Sequence, residues 1–411
     1  MPGYFVVFGK TPALSAAELV TVLKRENLGF KIDRLSSVGM VFSSDTEIPE
    51  SIWSSLGGSI KAGDILTSLD TEGGREELEI TLEDDLTHLL PSGRINLGYS
   101  IYPLDESSKA LSVRFNSLGA KLKADLVAAD RSVRHVTSTS ETLSAVTVRR
   151  NKLLTGGREY CLFVDAQKTF IGATTWVQDY EEFARREFER PAANARSGMV
   201  PVKLARMLVN LAGIPMESTL IDPFCGSGTV PVEALALGQT EVIASDISKQ
   251  AVDETEANIA WLRTRYEIRG TSRAFVTPVD RLLDVMKDKT VDAVVTEPFL
   301  GPPLRGQERR EEITASREEL ENLYMSAFGT FAKMTKPGAS VVFIFPMLPG
   351  DKRGIAAELL PQLLELGFEN DVLVPERWRH TPGFDISEAG GIIYSRSNQK
   401  VRREIMRFHR A

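Results

Sequence analysis

Apolar residues near the start of the chain fall into short runs separated by polar breaks. YFVVFG is β-branched and aromatic and predicts a strand. Ser15, followed three residues later by Glu18, has the form of a capping box that opens a helix running through Leu28. FKIDRL and VGMVFSS predict two more strands, the stretch from about Pro49 to Leu56 a helix, and IKAGDILTSL a fourth strand. This βαββαβ order predicts a small split-βαβ, ferredoxin-like unit over residues 1–70.

From about Gly73 to Asp179 the pattern changes. An acidic helix leads to the strand RINLGYSIYP, then to a basic helix around SLGAKLKADLVAAD. RHVTST, SAVTVRR, EYCLFVD and FIGATTWVQ read as four strands, and the alternation in SAVTVRR and EYCLFVD suits a half-solvated sheet. The charged helix DYEEFARREFERP stops at Pro191 and reads as a connector. From Met199 onward, strands (TLID, EVIASD, AFVTPV, DAVVTEP, ASVVFIFP) alternate with helices near 230–237, 248–265, 316–336 and 354–366. That alternation predicts a doubly wound parallel sheet. NDVLVPERW and GIIYSR follow without a helix between them and suggest an antiparallel hairpin at one sheet edge.

With 411 residues the chain is too long for one core, and 42% hydrophobic against 26% charged residues is the balance of a soluble globular protein. No apolar run approaches the ~18 residues a membrane span needs, and the N-terminus lacks the basic n-region of a secretory signal. Two distant cysteines, Cys161 and Cys225, exclude a disulfide scaffold and fit a reducing cytoplasm. Four histidines without metal-type spacing argue against a His-based metal site. The net charge of −7 hides an uneven distribution. Residues 109–170 carry eleven Lys/Arg against five Asp/Glu, and the tail from Ser395 carries six against one. Such basic stretches are either solvated faces or footprints of a nucleic acid.

The segment from Leu220 to Thr229, LIDPFCGSGT, carries the clearest chemistry. A strand ends at Asp222, a tight Gly226-x-Gly228 turn follows, and a helix begins near Val230. Glycines admit close approach of a ligand, and the helix start supplies free N–H groups. A dinucleotide site has a third glycine where Pro231 stands. Asp222 at the strand tip would repel a pyrophosphate but attract an ammonium. Asp246 ends the next strand twenty residues beyond Gly226, where a carboxylate takes both ribose hydroxyls. Asp280 follows the third strand and is placed to accept from an adenine amine. Three acids at adjacent strand tips describe an S-adenosylmethionine site, with Phe224, Thr229 and Ile247 completing the cofactor set; helix N-caps are the bland alternative. Cys225 reads as a small buried residue.

The fourth strand of this region runs into Glu297-Pro298-Phe299-Leu300-Gly301-Pro302-Pro303. Methyltransferases of exocyclic amines carry an Asp/Asn/Ser-Pro-Pro-aromatic loop at this tip. A side-chain oxygen and a backbone carbonyl accept the two N–H bonds of the amine, and an aromatic ring stacks on the base. Glu297, Pro298 and Phe299 fill those catalytic roles, although Glu replaces the usual first residue and the second proline is missing. The alternative is a proline-rich turn after a buried strand. GPPLRGQERREEITASREE then reads as a mobile charged loop beside the site.

Together with Gln178-Asp179, Arg190-Pro191 and the run Gly198-Met-Val-Pro-x-Lys-Leu-Ala-Arg-Met-Leu-Val-Asn-Leu-Ala212, these residues resemble the THUMP-containing tRNA guanine-N2 methyltransferases that act on guanine-10. The resemblance implies an α/β fold: a Rossmann-like methyltransferase domain at 199–411, preceded by the ferredoxin-like unit, a THUMP RNA-binding domain at 71–175 and a linker at 176–198. It implies S-adenosyl-L-methionine as cofactor and tRNA as partner, with Lys121, Lys123, Arg149, Arg150 and Lys152 on its phosphates. Two other classes remain: an amine methyltransferase acting on rRNA or DNA, and a non-catalytic RNA-binding subunit. The sequence leaves open the number of methyl groups added, the oligomeric state and the need for a small activator subunit.

Overall fold

Apolar β-branched runs, each long enough to cross one sheet, set the frame of the first half. They are β1 (Gly3–Phe8), β2 (Phe30–Leu35), β3 (Gly39–Ser44) and β4 (Ser59–Asp70), with α1 (Pro12–Arg25) and α2 (Glu50–Ser55) between them. Their order is β2-β3-β1-β4, antiparallel throughout. The computed structural model describes all residues except 73–74, 90–93, 194–198, 287–289, 305–307, 352 and 397–399. Gly198 of the approach motif and residues 305–307 of the expected charged loop therefore lie outside the described residues, and from Arg310 that stretch is helix, not loop.

The chain continues through α3 (Arg75–Leu89), β5 (Ile95–Pro103), α4 (Glu106–Ser112), α5 (Leu118–Ala128), β6 (Val133–Val136), α6 (Ala145–Arg150), β7 (Gly157–Val164) and β8 (Lys168–Val177). β8 pairs antiparallel with β4. One eight-stranded sheet, β2-β3-β1-β4-β8-β7-β5-β6, thus runs across the expected 70/71 boundary.

Three local expectations are corrected here. The N-cap of α1 is Thr11 with Pro12 next to it, and Ser15 lies a turn inside the helix. Buried Glu18 accepts from the N–H groups of Gly57 and Gly58, each at 2.8 Å, so the Ser15/Glu18 pair anchors tertiary structure instead of capping. SAVTVRR is not a strand. Ser144 caps α6 by accepting from the Thr147 N–H at 3.1 Å, and Val148 alone turns inward onto Leu143 and Leu153. EYCLFVD is not half-solvated. Tyr160, Leu162 and Val164 pack beneath α3 and α5, while Cys161 and Phe163 pack on the other face with Phe5 and Tyr102. On that second face Glu159 is fully buried because Lys61, Ser100 and Thr174 donate to it at 2.5–2.7 Å.

After α7 (Tyr180–Phe188) and α8 (Val202–Leu211), the second half alternates as expected. Its elements are β9 (Thr219–Asp222), α9 (Thr229–Leu237), β10 (Glu241–Asp246), α10 (Lys249–Arg265), β11 (Thr271–Val276), α11 (Leu282–Met286), β12 (Val291–Thr296), α12 (Arg310–Met334), β13 (Thr335–Met347) and α13 (Gly354–Glu365). β14 (Phe368–Asn370), β15 (Ile392–Tyr394) and β16 (Arg402–Arg410) close the chain. The order is β11-β10-β9-β12-β13-β16-β14, with the first five strands parallel and β16 antiparallel to β13. The winding reverses between β9 and β12, which opens a crevice beyond their carboxyl ends.

The expected hairpin does not form. Only Asn370 of NDVLVPERW lies in a strand, and β14 and β15 both dock on β16, a strand within what reads in sequence as a basic tail. Pro375 cannot donate to a ladder and starts a short turn of helix instead.

The two halves share buried contacts. Ala13, Leu14 and Ala17 of α1 belong to one core with Leu204 and Leu208 of α8. Asn210 donates to Glu18 at 2.7 Å, and Arg407 of β16 reaches Thr21 and the Leu211 carbonyl. In α7, Arg186 pairs with the buried Glu233 of α9, which also takes Arg206. No described helix is long and apolar enough to cross a membrane.

Candidate functional site

Four buried residues, Thr219 to Asp222, form β9, and the chain must then turn sharply to start α9. Gly226 and Gly228 adopt positive φ of 52° and 79° to make that turn. A Cβ on Gly228 would stand 2.8 Å from Thr255, so the position is closed to larger residues. A Cβ on Gly226 would meet nothing within 4 Å, because this residue faces open space. Thr255 and Asn258 of α10 strap the loop by donating to the carbonyls of Gly226 and Ser227 at 2.8 and 2.7 Å. The Gly226 N–H donates across to Asp246 at 3.0 Å, which ties the loop to the end of β10.

These elements line a cleft of about 1320 Å³ at the reversal point of the sheet. Asp222, Phe224, Gly226, Thr229, Asp246, Ile247 and Asp280 border it on one side, and Glu297, Pro298 and Phe299 on the other. Gly228 does not border it; its role is the turn. Ile247 is exposed, as is Asp280 at the rim. Asp246 also accepts from the Ser248 N–H at 2.9 Å, so both its oxygens are oriented by backbone.

Asp222 is buried and accepts from the Thr296 hydroxyl at 2.6 Å and the Phe224 N–H at 3.1 Å. Burial pushes its carboxyl up to about 7, against the pull of these two neutral donors. Burial likewise pushes the Cys225 thiol up, in line with a small buried residue that borders the cleft without being activated.

The loop after β12 departs from the expected arrangement at Glu297. Its carboxylate already has a partner, with one lone pair left on each oxygen: Arg403 of β16 pairs with it through Nε on Oε1 and through Nη2 on Oε2 at 3.3 Å. The side chains of the pair are 4% and 9% exposed, so the contact is shielded from water. Burial raises the Glu297 carboxyl above its usual range, and Arg403 draws it back. Pro298 is buried, whereas Phe299 is 58% exposed over the cleft. The fully buried Tyr324 of α12 donates to the Phe299 carbonyl at 2.8 Å and holds the loop. Arg403 sits in what reads in sequence as a basic tail; the apolar positions Ile405, Met406 and Phe408 after it are the signal of a strand.

The five expected phosphate contacts do not share one face. Lys121 and Lys123 are on α5, which packs on the same side of the first sheet as α3. Arg149, Arg150 and Lys152 belong to α6 and its end, on the opposite side. The Gly98 position shows this: its Cβ would point at Leu143 and Leu153, while neighbouring Leu97 points into the α3/α5 core. Lys121 pairs with Glu79, and Arg149 pairs with Asp179 at 2.9 Å. Lys123, Arg150 and Lys152 are exposed.

Residues 190–349 match the family model described as UPF0020, RMKL-like, methyltransferase domain. A tRNA (guanine(10)-N2)-dimethyltransferase of Methanothermobacter thermautotrophicus is 36% identical over 106 residues, 25% of this chain and 28% of that protein. A "Probable tRNA (guanine(10)-N2)-dimethyltransferase" of Methanothermococcus thermolithotrophicus is 32% identical over 111 residues, 27% of this chain and 68% of that protein. The chain thus spans less than half the length of the first curated relative it matches. The crystal structure of TrmN from Thermus thermophilus superposes over 100% of both chains with a TM-score of 0.52 at 17% identity, a likeness of fold.

Proposed function

This chain belongs to the methyltransferase family that includes these guanine-N2 relatives, and from that premise we propose that it methylates the exocyclic N2 amine of a guanine in tRNA, at guanine-10. The observation that carries the reading is one cleft with two unlike walls. One wall is a glycine cradle with Asp222 and Asp246, and the other is the Glu297-Pro298-Phe299 loop. The cradle fits S-adenosylmethionine. A side chain at Gly226 would fill the space open before it, Asp246 presents oriented oxygens to a ribose, and Asp222 supplies a buried anion for a cationic amino acid moiety. When bound, that cofactor supplies a methyl group on a sulfonium.

The chain's own residues do the rest. Asp246 fixes the nucleoside end, and Phe299 offers a half-open ring on which a flipped base stacks. Glu297 and the Pro298 carbonyl accept from the amine, so nitrogen keeps its electron density as it becomes the nucleophile. The N-terminal sheet order, β2-β3-β1-β4 continued by β8-β7-β5-β6, supports a ferredoxin-like unit joined to a THUMP domain that holds tRNA.

Unmodified tRNA incubated with the full chain and labelled cofactor should yield N2-methylguanosine, located at one position by nuclease mapping and mass spectrometry. Methyl groups appearing only on DNA or rRNA would move the substrate class.

Asp222 gives this site a pH signature. Below about 7 its carboxyl is neutral, and a cationic ligand must displace that proton to gain an ion pair. Cofactor affinity is expected to fall about tenfold per pH unit below that point, and to level off above it. Calorimetry from acid to mildly basic pH checks this, and Asp222→Asn should flatten the profile.

For the RNA, α6 and its end present two exposed cations, Arg150 and Lys152. Reversing Arg150 and Lys152 together should weaken tRNA binding about tenfold and reduce the salt slope by roughly two. Reversing Lys123 on the opposite side serves as the control. Equal losses from both would return the assignment to a diffuse charge effect.

A further inference from the structure

Arg190 follows α7 in the connector between the halves and is only 2% exposed. No described residue accepts a hydrogen bond from its Nε or Nη1. Its Nη2 meets a thioether, the Met199 sulfur, at 3.7 Å. Glu187 and Glu233 attract the charge, but each is engaged elsewhere. Glu187 accepts from the Val202 N–H at 2.7 Å, and Glu233 accepts from Arg186 and Arg206. A buried guanidinium in this condition costs stability, and a site that completes its hydrogen bonds would offset that cost.

The Met199 sulfur gives the charge a direction. Met199 and Ser227 both border the cleft, and the Ser227 hydroxyl donates to the same sulfur at 3.0 Å. A guanidinium and a hydroxyl thus converge on one thioether, a weak acceptor. α9 begins at the same corner. Gly228 is its N-cap, no side chain bonds its first N–H groups, and Thr229 and Val230 border the cleft. The Ala192 N–H donates to Asn258 at 2.9 Å, and Asn258 straps the Ser227 carbonyl, so the backbone beside Arg190 is tied to the glycine turn.

We propose that Arg190 is the anion partner of the cofactor site: with the Ser227 hydroxyl and the start of α9 it takes the carboxylate of the methionine moiety, at the place where the Met199 sulfur stands. This rests on the reading of the cradle as an S-adenosylmethionine site. An amino acid moiety brings one cation and one anion, joined through a single carbon. Asp222 answers the cation, and Ser227 on the same loop marks where the anion falls. A carboxylate oxygen is a much stronger acceptor than a thioether. Met199 therefore turns aside for it, and the orphan N–H groups of Arg190 gain a partner.

The test is calorimetry on the full chain with four ligands: S-adenosylmethionine, S-adenosylhomocysteine, decarboxylated S-adenosylmethionine and 5′-methylthioadenosine. The third keeps the amine and lacks the carboxylate, and the fourth lacks the whole amino acid end. Arg190→Met should weaken the first two about 30- to 100-fold and the other two less than about threefold. Arg190→Lys, a point charge without the fork, should fall between. Thermal unfolding without ligand is a second readout. Replacing a purely structural arginine would lower Tm, whereas removing an unpaired buried charge should leave it unchanged or raise it.

Met199→Glu places a carboxylate of the chain's own in the same corner, and it remains informative if Arg190→Met does not fold. It should weaken S-adenosylmethionine by at least about tenfold and spare 5′-methylthioadenosine. Equal losses for all four ligands in Arg190→Met would overturn the proposal. So would a parent with no preference for S-adenosylmethionine over its decarboxylated form, or parent-like binding of S-adenosylmethionine by Met199→Glu. A parent that binds none of the four would refute the cofactor reading itself, and the role of Arg190 with it.

Discussion

Glu297→Ala is expected to lower single-turnover methyl transfer to tRNA by on the order of 10²–10³, with cofactor affinity unchanged. The exocyclic amine is a weak nucleophile, and an oriented acceptor is worth most where charge develops on nitrogen. Glu297 is held in that orientation by a pair only 4% and 9% exposed, so water cannot substitute for the lost oxygen. Alanine also strands a buried guanidinium at Arg403, and a fall in thermal stability should accompany the lost rate. Glu297→Gln keeps the shape and one acceptor oxygen and should retain partial activity. Glu297→Asp withdraws the carboxylate by one methylene from both Arg403 and the base, and should not restore the parent rate. Phe299→Ala should slow the reaction separately, since its exposed ring is the proposed platform for the base. Parent-like turnover by a folded Glu297→Ala protein would leave this loop a mere turn, and Asp222 would become the next candidate acceptor.

The second large effect is expected at the other wall. Asp246→Ala should weaken S-adenosylmethionine by about 2–3 kcal/mol, roughly 30- to 150-fold, through loss of two charge-assisted hydrogen bonds to ribose. Part of the cost is internal. The carboxylate accepts from Gly226 and Ser248, so its removal also frees the glycine turn. Asp246→Asn separates the two contributions, because the amide keeps one oxygen for the backbone but offers the ribose a donor in place of an acceptor. Calorimetry on folded variants reads both. Unchanged affinity in Asp246→Ala would place the cofactor elsewhere.

Legibility of the site followed the range of the interactions. The turn at Gly226 and Gly228, the acid at Asp246 and the loop at Glu297 are each written within one strand end and the residues after it. Their alternation with helices then brings the tips together by topology alone. Arg403 lies 106 residues from Glu297 and arrives through antiparallel pairing of β16 with β13, which no local pattern announces. SAVTVRR misled for a related reason. Its alternating valines suit a strand, but the cap at Ser144 and a single inward contact decide for a helix. Glu18 has the spacing of a capping residue, yet its partners come from Gly57, Gly58 and Asn210.

The seam between the halves has a consequence for target choice. α1 is packed into the core that holds α8, and Glu18, Asn210 and Arg407 knit the same boundary with buried bonds. Buried contacts of this kind oppose a hinge motion between the halves. On the proposed reading, the stretch of tRNA held by the first sheet is presented to Phe299 at a constant span, as by a calliper set to one opening. A nucleotide would then be selected by how far it lies from the grip. Inserting or deleting a base pair between grip and target would then silence a substrate whose target base and grip are both intact.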